Sequence, residues 1–119
     1  PEVVYIPHIG DINKDHRIVH EASLVATRPK PNSSIKKILS YETVSETEWG
    51  IVNFCPNVYE DLNKTFNYKI SAMRAYKSEL KSAPHPRSLE VIEALAKKRG
   101  SEVGLRFAEA FMLIRSITD

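Results

Sequence analysis

Several function classes are closed off by what this chain has little of. Its one cysteine, Cys55, excludes an internal disulfide and fits a reducing compartment. The four glycines are scattered singly, so no glycine-rich loop is available to cradle a phosphate. No apolar run approaches the ~18 residues of a membrane span, and the N-terminus lacks the basic-then-apolar order of a signal peptide; the cytoplasm is the expected location. Neither sign of charge dominates. The 17 basic and 15 acidic residues are interspersed and leave a net charge of +2, too weak a field to imply a nucleic-acid partner. Lys36-Lys37 and Lys97-Lys98-Arg99 read as solvated faces. There is no internal repeat.

What remains is 119 residues with 42% hydrophobic content, the size of a single domain with one core. The chain opens at Pro1 and enters Val3-Val4-Tyr5-Ile6 at once, which reads as an interior strand of a parallel sheet in a piece of something longer. Apolar residues at Ile18, Val19, Ala22, Val25 and Ala26 predict a helix from about Asp15 to Thr27, ended by Pro29 and Pro31. A second strand is expected over Lys37 to Val44, and a short one over Val58 to Asp61. Asn63 is a suitable cap for a helix with Phe66, Ile70, Met73 and Leu80 on one side. Two prolines make Ser82 to Arg87 a loop, after which Ser88 caps a third helix with Leu89, Ile92, Leu95, Ala96 and Val103 inward, stopping by Gly104. The alternation at Phe107 to Phe111 predicts a short closing strand with Glu109 between two aromatics. Ser45 to Pro56 has no clear period, and Trp49 reads equally as a core residue or as the wall of a pocket.

The chemistry-bearing segment is His8 to Arg17. A carboxylate beside a histidine, Asp15-His16, follows the first strand closely, and open α/β sheets keep their chemistry at the carboxyl ends of strands. A neutral imidazole binds Zn²⁺ at about 2.0–2.1 Å, and a neighbouring carboxylate commonly fixes its tautomer. His16 and His20 are four apart, but the glutamate that follows the first histidine in zinc-binding helices of that spacing is replaced by Arg17. His20 therefore reads as a structural or surface histidine. Cys55 has no sequence partner for nucleophilic catalysis and reads as an inert buried thiol.

Three stretches together carry a resemblance. They are Val4-Tyr5-Ile6-Pro7 through Asp15-His16-Arg17; Phe54-Cys55-Pro56-Asn57-Val58-Tyr59 on to Ala75-Tyr76-Lys77-Ser78-Glu79; and Pro86-Arg87-Ser88 through Arg99-Gly100-Ser101-Glu102-Val103-Gly104 to Ala108-Glu109-Ala110-Phe111. In order and spacing the set resembles the second half of the zinc-dependent de-N-acetylases of the LmbE and PIG-L family. The resemblance implies an α/β, Rossmann-like fold of which residues 1–119 are the C-terminal part of one domain, with a few strands and about three helices. It also implies hydrolysis of an acetamide on an N-acetylated amino sugar or its conjugate. In the family, zinc is held by a His and an Asp from an early Ala-His-Pro-Asp-Asp-Glu type motif, absent from this chain, and by a later His matched by His16. The remaining ligands would come from elsewhere, and the 119 residues alone would be inactive.

Family members read His-Pro-Asp-His where this chain reads Asn13-Lys14-Asp15-His16. Asn13 can donate a hydrogen bond to an oxyanion but cannot transfer a proton. His8 is the nearest group that could fill the acid role, and it reads equally as a polar loop histidine. The expected site is therefore His16 on metal, with Asp15, Asn13 and His8 in catalysis, and Asp11, Arg106 and Glu109 shaping the site. The expected partners are a small amino-sugar substrate and either further copies of the chain or the missing N-terminal half. A non-catalytic module used for assembly or binding is the alternative; metal content of the intact protein separates the two.

Overall fold

A strand, a helix and a second strand parallel to the first open the chain, the arrangement that brings two strand ends to one edge of a sheet. The computed structural model describes residues 1–119. In order the elements are β1 (Val3–Pro7), α1 (Lys14–Ala26), β2 (Lys37–Tyr41), a 3₁₀ turn at Thr47–Trp49, β3 (Val58–Asp61), α2 (Phe66–Ala75), α3 (Leu89–Ser101) and β4 (Ala108–Ser116). The fold is α/β with a mixed four-stranded sheet of order β1-β2-β4-β3. β1 runs parallel to β2 with Val3 opposite Lys37 and Pro7 opposite Tyr41, and β2 is antiparallel to β4 with an irregularity between Ile38 and Leu39. None of the helices is long and apolar enough to cross a membrane.

The chain divides into two compact units, residues 1–58 with 111–119, and residues 59–110. In the first, Ile6, Ile38, Leu39 and Phe111 are buried. Within these residues β1 has one neighbour, and the further neighbours expected of an interior strand are not supplied by this chain. β1 pairs with β2 alone and is an edge of the sheet, with Tyr5 55% exposed. Strand residues alternate faces, so an apolar run can carry one covered face, here that of Ile6, and one open one.

α1 departs from expectation. Its bounds agree to within a residue, but the apolar positions Ile18, Val19, Ala22, Val25 and Ala26 are all exposed, whereas His20 and Thr27 are buried. Hydrogen bonds decide the docked face. His20 Nδ1 meets the Pro7 carbonyl oxygen at 2.7 Å, and Arg115 donates to the Thr27 carbonyl. Periodicity says that a helix has two faces and not which one a polar anchor will hold.

The second unit has its own core of Leu62, Phe66 and Ala96, with Ile70 and Phe107 packed against it. The Phe66 and Phe107 rings stack at 4.2 Å. α2 starts later than Asn63, because the Leu62 carbonyl accepts from both Thr65 N and Phe66 N and so nucleates the helix there. It ends at Ala75, leaving Leu80 outside. β3 has the expected bounds, and β4 is longer than the short strand expected, with Phe107 just before it. Cys55 proves exposed rather than buried, because it lies in an irregular segment outside either core.

α3 is capped as expected, Ser88 Oγ accepting from Val91 N at 3.2 Å. Ile92 and Ala96 are buried, but Val103 lies past the helix end and is exposed. Gly100 explains its own place in a helix. A β-carbon there would lie 2.5 Å from the Leu105 oxygen and 3.0 Å from Phe107 N, so the returning chain can press on the last turn only where a side chain is missing. Helix propensity favours alanine over glycine by ~1 kcal/mol, yet overpacking costs ~1–3 kcal/mol. Gly100→Ala should therefore lower stability in urea unfolding. A stabilised Gly100→Ala protein would show that the 105–107 backbone yields freely.

Candidate metal centre

Two loops at the carboxyl ends of the parallel strands meet in the first unit. One is the 8–13 segment after β1; the other is the long connection 42–57 after β2. Connections of that length in compact folds are usually functional. The Asp11 side chain, 1% exposed, is fully engaged. Its Oδ1 accepts from Asn13 N at 2.8 Å, and Oδ2 lies 3.0 Å from His16 Nδ1 and 3.5 Å from Thr47 Oγ1.

Asn13 is the N-cap of α1. Its side-chain oxygen accepts from Asp15 N at 2.9 Å and His16 N at 3.4 Å, while its Nδ2 donates to Glu46 Oε1 at 3.2 Å. The cap sets His16 as the third residue of the helix, where its ring turns back onto Asp11. From the second loop, Ser45 at φ 67° adopts the left-handed region, a conformation costing a non-glycine residue ~1–2 kcal/mol, immediately before Glu46. Glu46 Oε2 then reaches 2.9 Å from the same His16 Nδ1.

Asp11, His16 and Glu46 form the one group of potential metal ligands, with donor atoms within 4.8 Å of one another. An imidazole nitrogen carries at most one hydrogen. It can serve only one of the two carboxylates, and Glu46 Oε2, 2.9 Å away, is buried without a hydrogen bond. Both contacts of the His16 ring are made through Nδ1, so this is the nitrogen that the two carboxylates share. Arg17 Nη1 donates to the carbonyl oxygens of Asp11 and Ile12, each at 2.9 Å. Two oxygens and a nitrogen, one oxygen lacking any donor, form a group that could hold a metal ion.

Of the residues expected from sequence, the structure brings together His16, Asp11 and Asn13. Asp15 is exposed in the first turn of α1. His8 is 2% exposed, its Nε2 is 3.1 Å from the Val52 oxygen, and its ring stands edge-on to Phe54 at 5.2 Å. His20 is held at Pro7 and takes no part in the group. Arg106 and Glu109 belong to the second unit, Arg106 over the Phe107 ring and Glu109 at 3.0 Å from Lys69 Nζ. Glu46 was missed. Its signal was a carboxylate in a long unpatterned stretch following a second strand.

Burial raises the Tyr41 phenol above its ordinary 10.0, and the charges of Asp11 and then Glu46 raise it further. For an acid whose folded pKa is raised, the stabilising contribution is complete below the unfolded value and is lost as pH climbs through the folded one. The absorbance titration of tyrosinate should therefore contain a component above 10 that Tyr41→Phe removes, and Tyr41→Phe should resist alkaline unfolding better than the parent. Loss of a component at or below 10 in Tyr41→Phe would show that the Tyr41 phenol is not raised.

No family model matches the chain. It is 38% identical over 76 residues to a protein of Escherichia coli (strain K12) named "Uncharacterized deacetylase YaiS", and spans 36% of that relative's length. Among solved structures, the conserved protein TT1542 from Thermus thermophilus superposes on the whole chain with a TM-score of 0.73 at 20% identity. The chain covers 54% of that structure. At that identity the likeness establishes a shared fold.

Proposed function

We propose that the protein containing this chain is a metal-dependent hydrolase of the LmbE and PIG-L kind, with a Rossmann-like domain, that removes the acetyl group from an N-acetylated amino sugar or its conjugate. The observation that carries this reading is the convergence of two carboxylates on one imidazole nitrogen, with one carboxylate oxygen buried and unsatisfied. Similarity to a protein named as a deacetylase supports the reaction class.

His16, Asp11 and Glu46 would hold the metal, with further ligands contributed from the remainder of the protein. What Zn²⁺ supplies when bound is Lewis acidity toward an amide carbonyl and toward water. Asn13 acts as a positioning residue, joining the start of α1 to Glu46. Asp15, open to solvent beside His16, is the acidic group placed to meet substrate. His8 ties the 8–13 loop to Val52, which keeps the entrance to Asp11 in shape.

The test is metal binding and acetate release in the full-length protein. The parent should bind Zn²⁺ by calorimetry and release acetate from N-acetylglucosamine or a simple glycoside of it. His16→Ala should lose both. Asn13→Ala should weaken Zn²⁺ binding by about 10–100-fold, the usual effect of removing an outer partner of a ligand. Zn²⁺ affinity unchanged in His16→Ala would overturn the assignment of this centre.

A further inference from the structure

Beside the centre lies a cleft of about 330 Å³ whose walls are the 9–12 and 49–52 loops. Its size is at the low end of the ~300–1,000 Å³ of small-molecule sites, room for one ring-sized group. The walls are fixed by backbone contact. A β-carbon on Gly50 would fall 1.8 Å from the Gly10 oxygen, and one on Gly10 would fall 2.4 Å from the Val52 oxygen, so only glycines allow the loops to approach this closely. The His8 bond to Val52 and the two Arg17 bonds to the 11–12 backbone brace the same walls.

The lining is apolar and uncovered. Ile9, Ile12, Trp49, Ile51 and Val52 surround it, Trp49 being 55% and Ile12 47% exposed. Its charged groups are confined to Asp11 and Arg17, and Asp11 is also a member of the metal centre. Mostly apolar walls with a few polar groups at one end are the usual form of a small-molecule site. Adjacent polar and apolar subsites call for a ligand with the same two halves.

We propose that this cleft is a specificity subsite for an apolar, ring-sized substituent attached to the acetamido-bearing part of the substrate, with Trp49 as its platform. The proposal rests on the deacetylase reading for the acetamido half of the ligand, but the cleft requires no metal. A sugar bearing such a substituent gains aromatic contact at Trp49 that a methyl glycoside cannot make. Aromatic pairing and burial of a ring predict a preference of about tenfold or more.

Trp49 is the one tryptophan of these 119 residues, and the Trp49→Phe protein subtracts the emission of any tryptophan elsewhere in the full-length protein. Titrating the protein, stripped of metal by chelation, with phenyl N-acetyl-β-glucosaminide should change its tryptophan emission saturably; the methyl glycoside should not at equal concentration. Ile12→Asp should weaken the phenyl glycoside by about tenfold or more without loss of fold by circular dichroism. In the metal-loaded enzyme, KM for the phenyl glycoside should be lower than for the methyl glycoside, and Trp49→Ala should abolish the difference while Trp49→Phe preserves it. No emission change, or an equal one with both glycosides, overturns the subsite. Saturable phenyl-selective binding without acetate release under any divalent metal supports the subsite and sinks the deacetylase reading. Acetate release with equal KM values does the reverse.

Discussion

The burial of the Asp11 carboxylate is the constraint on which the end of the first unit depends. Removing an ion from water costs several kcal/mol even after relaxation, and the cost is offset only when its lone pairs are satisfied. Here Asn13 N, His16 and Thr47 surround the two oxygens, and the backbone of Asp11 is itself pinned, its N to the His8 oxygen and its oxygen to Arg17. Each of these partners has a second duty. Asn13 caps α1, Thr47 Oγ1 accepts from Thr43 N at 2.7 Å and so shapes the second loop, and Arg17 locks the backbone before the helix. Satisfying one buried charge thus organises two loops and a helix start.

The same demand accounts for the orientation of α1. Hydrophobic burial is non-directional, whereas the bonds of His16 to Asp11 and of His20 to Pro7 fix which side of the helix faces inward. Turning the stripe of Ile18, Val19 and Val25 inward would bury apolar area but carry His16 and His20 away from their partners. It would also leave Asp11 short of a donor. Burying a charge away from its partners is costly, and the face that keeps His16 and His20 on theirs is the docked one.

What the sequence reveals of this protein follows from how local each feature is. β3, the Ser88 cap and the inward Ile92 and Ala96 of α3 depend on residues within a turn of one another and were legible. So was the strand, loop and helix that carry His16 to the start of α1. Glu46 was not, because its relation to His16 is made by the pairing of β1 with β2 across a span of sequence that no periodicity encodes. Asn13 was legible as a polar group at the site, but its capping role depends on where the helix begins, the least certain boundary in any sequence. The exposed face of α1 and the edge position of β1 are likewise non-local, since neither pattern names the neighbour that covers it.

The second loop also explains why a site forms at all. Parallel neighbours deliver their following loops to the same edge, so the chains leaving Pro7 and Tyr41 are brought together by the register that sets those two residues opposite each other. Proximity alone would leave two mobile loops. Contact between Gly10 and Gly50 removes the spacing that side chains would impose, and the left-handed turn at Ser45 redirects the chain just before Glu46. The acidic oxygen that results is held near His16 without a donor of its own, an arrangement that local folding energy disfavours and that a cation would relieve. The local conformational cost therefore concentrates where the proposed chemistry is, and the rest of the first unit supplies the rigidity that sustains it.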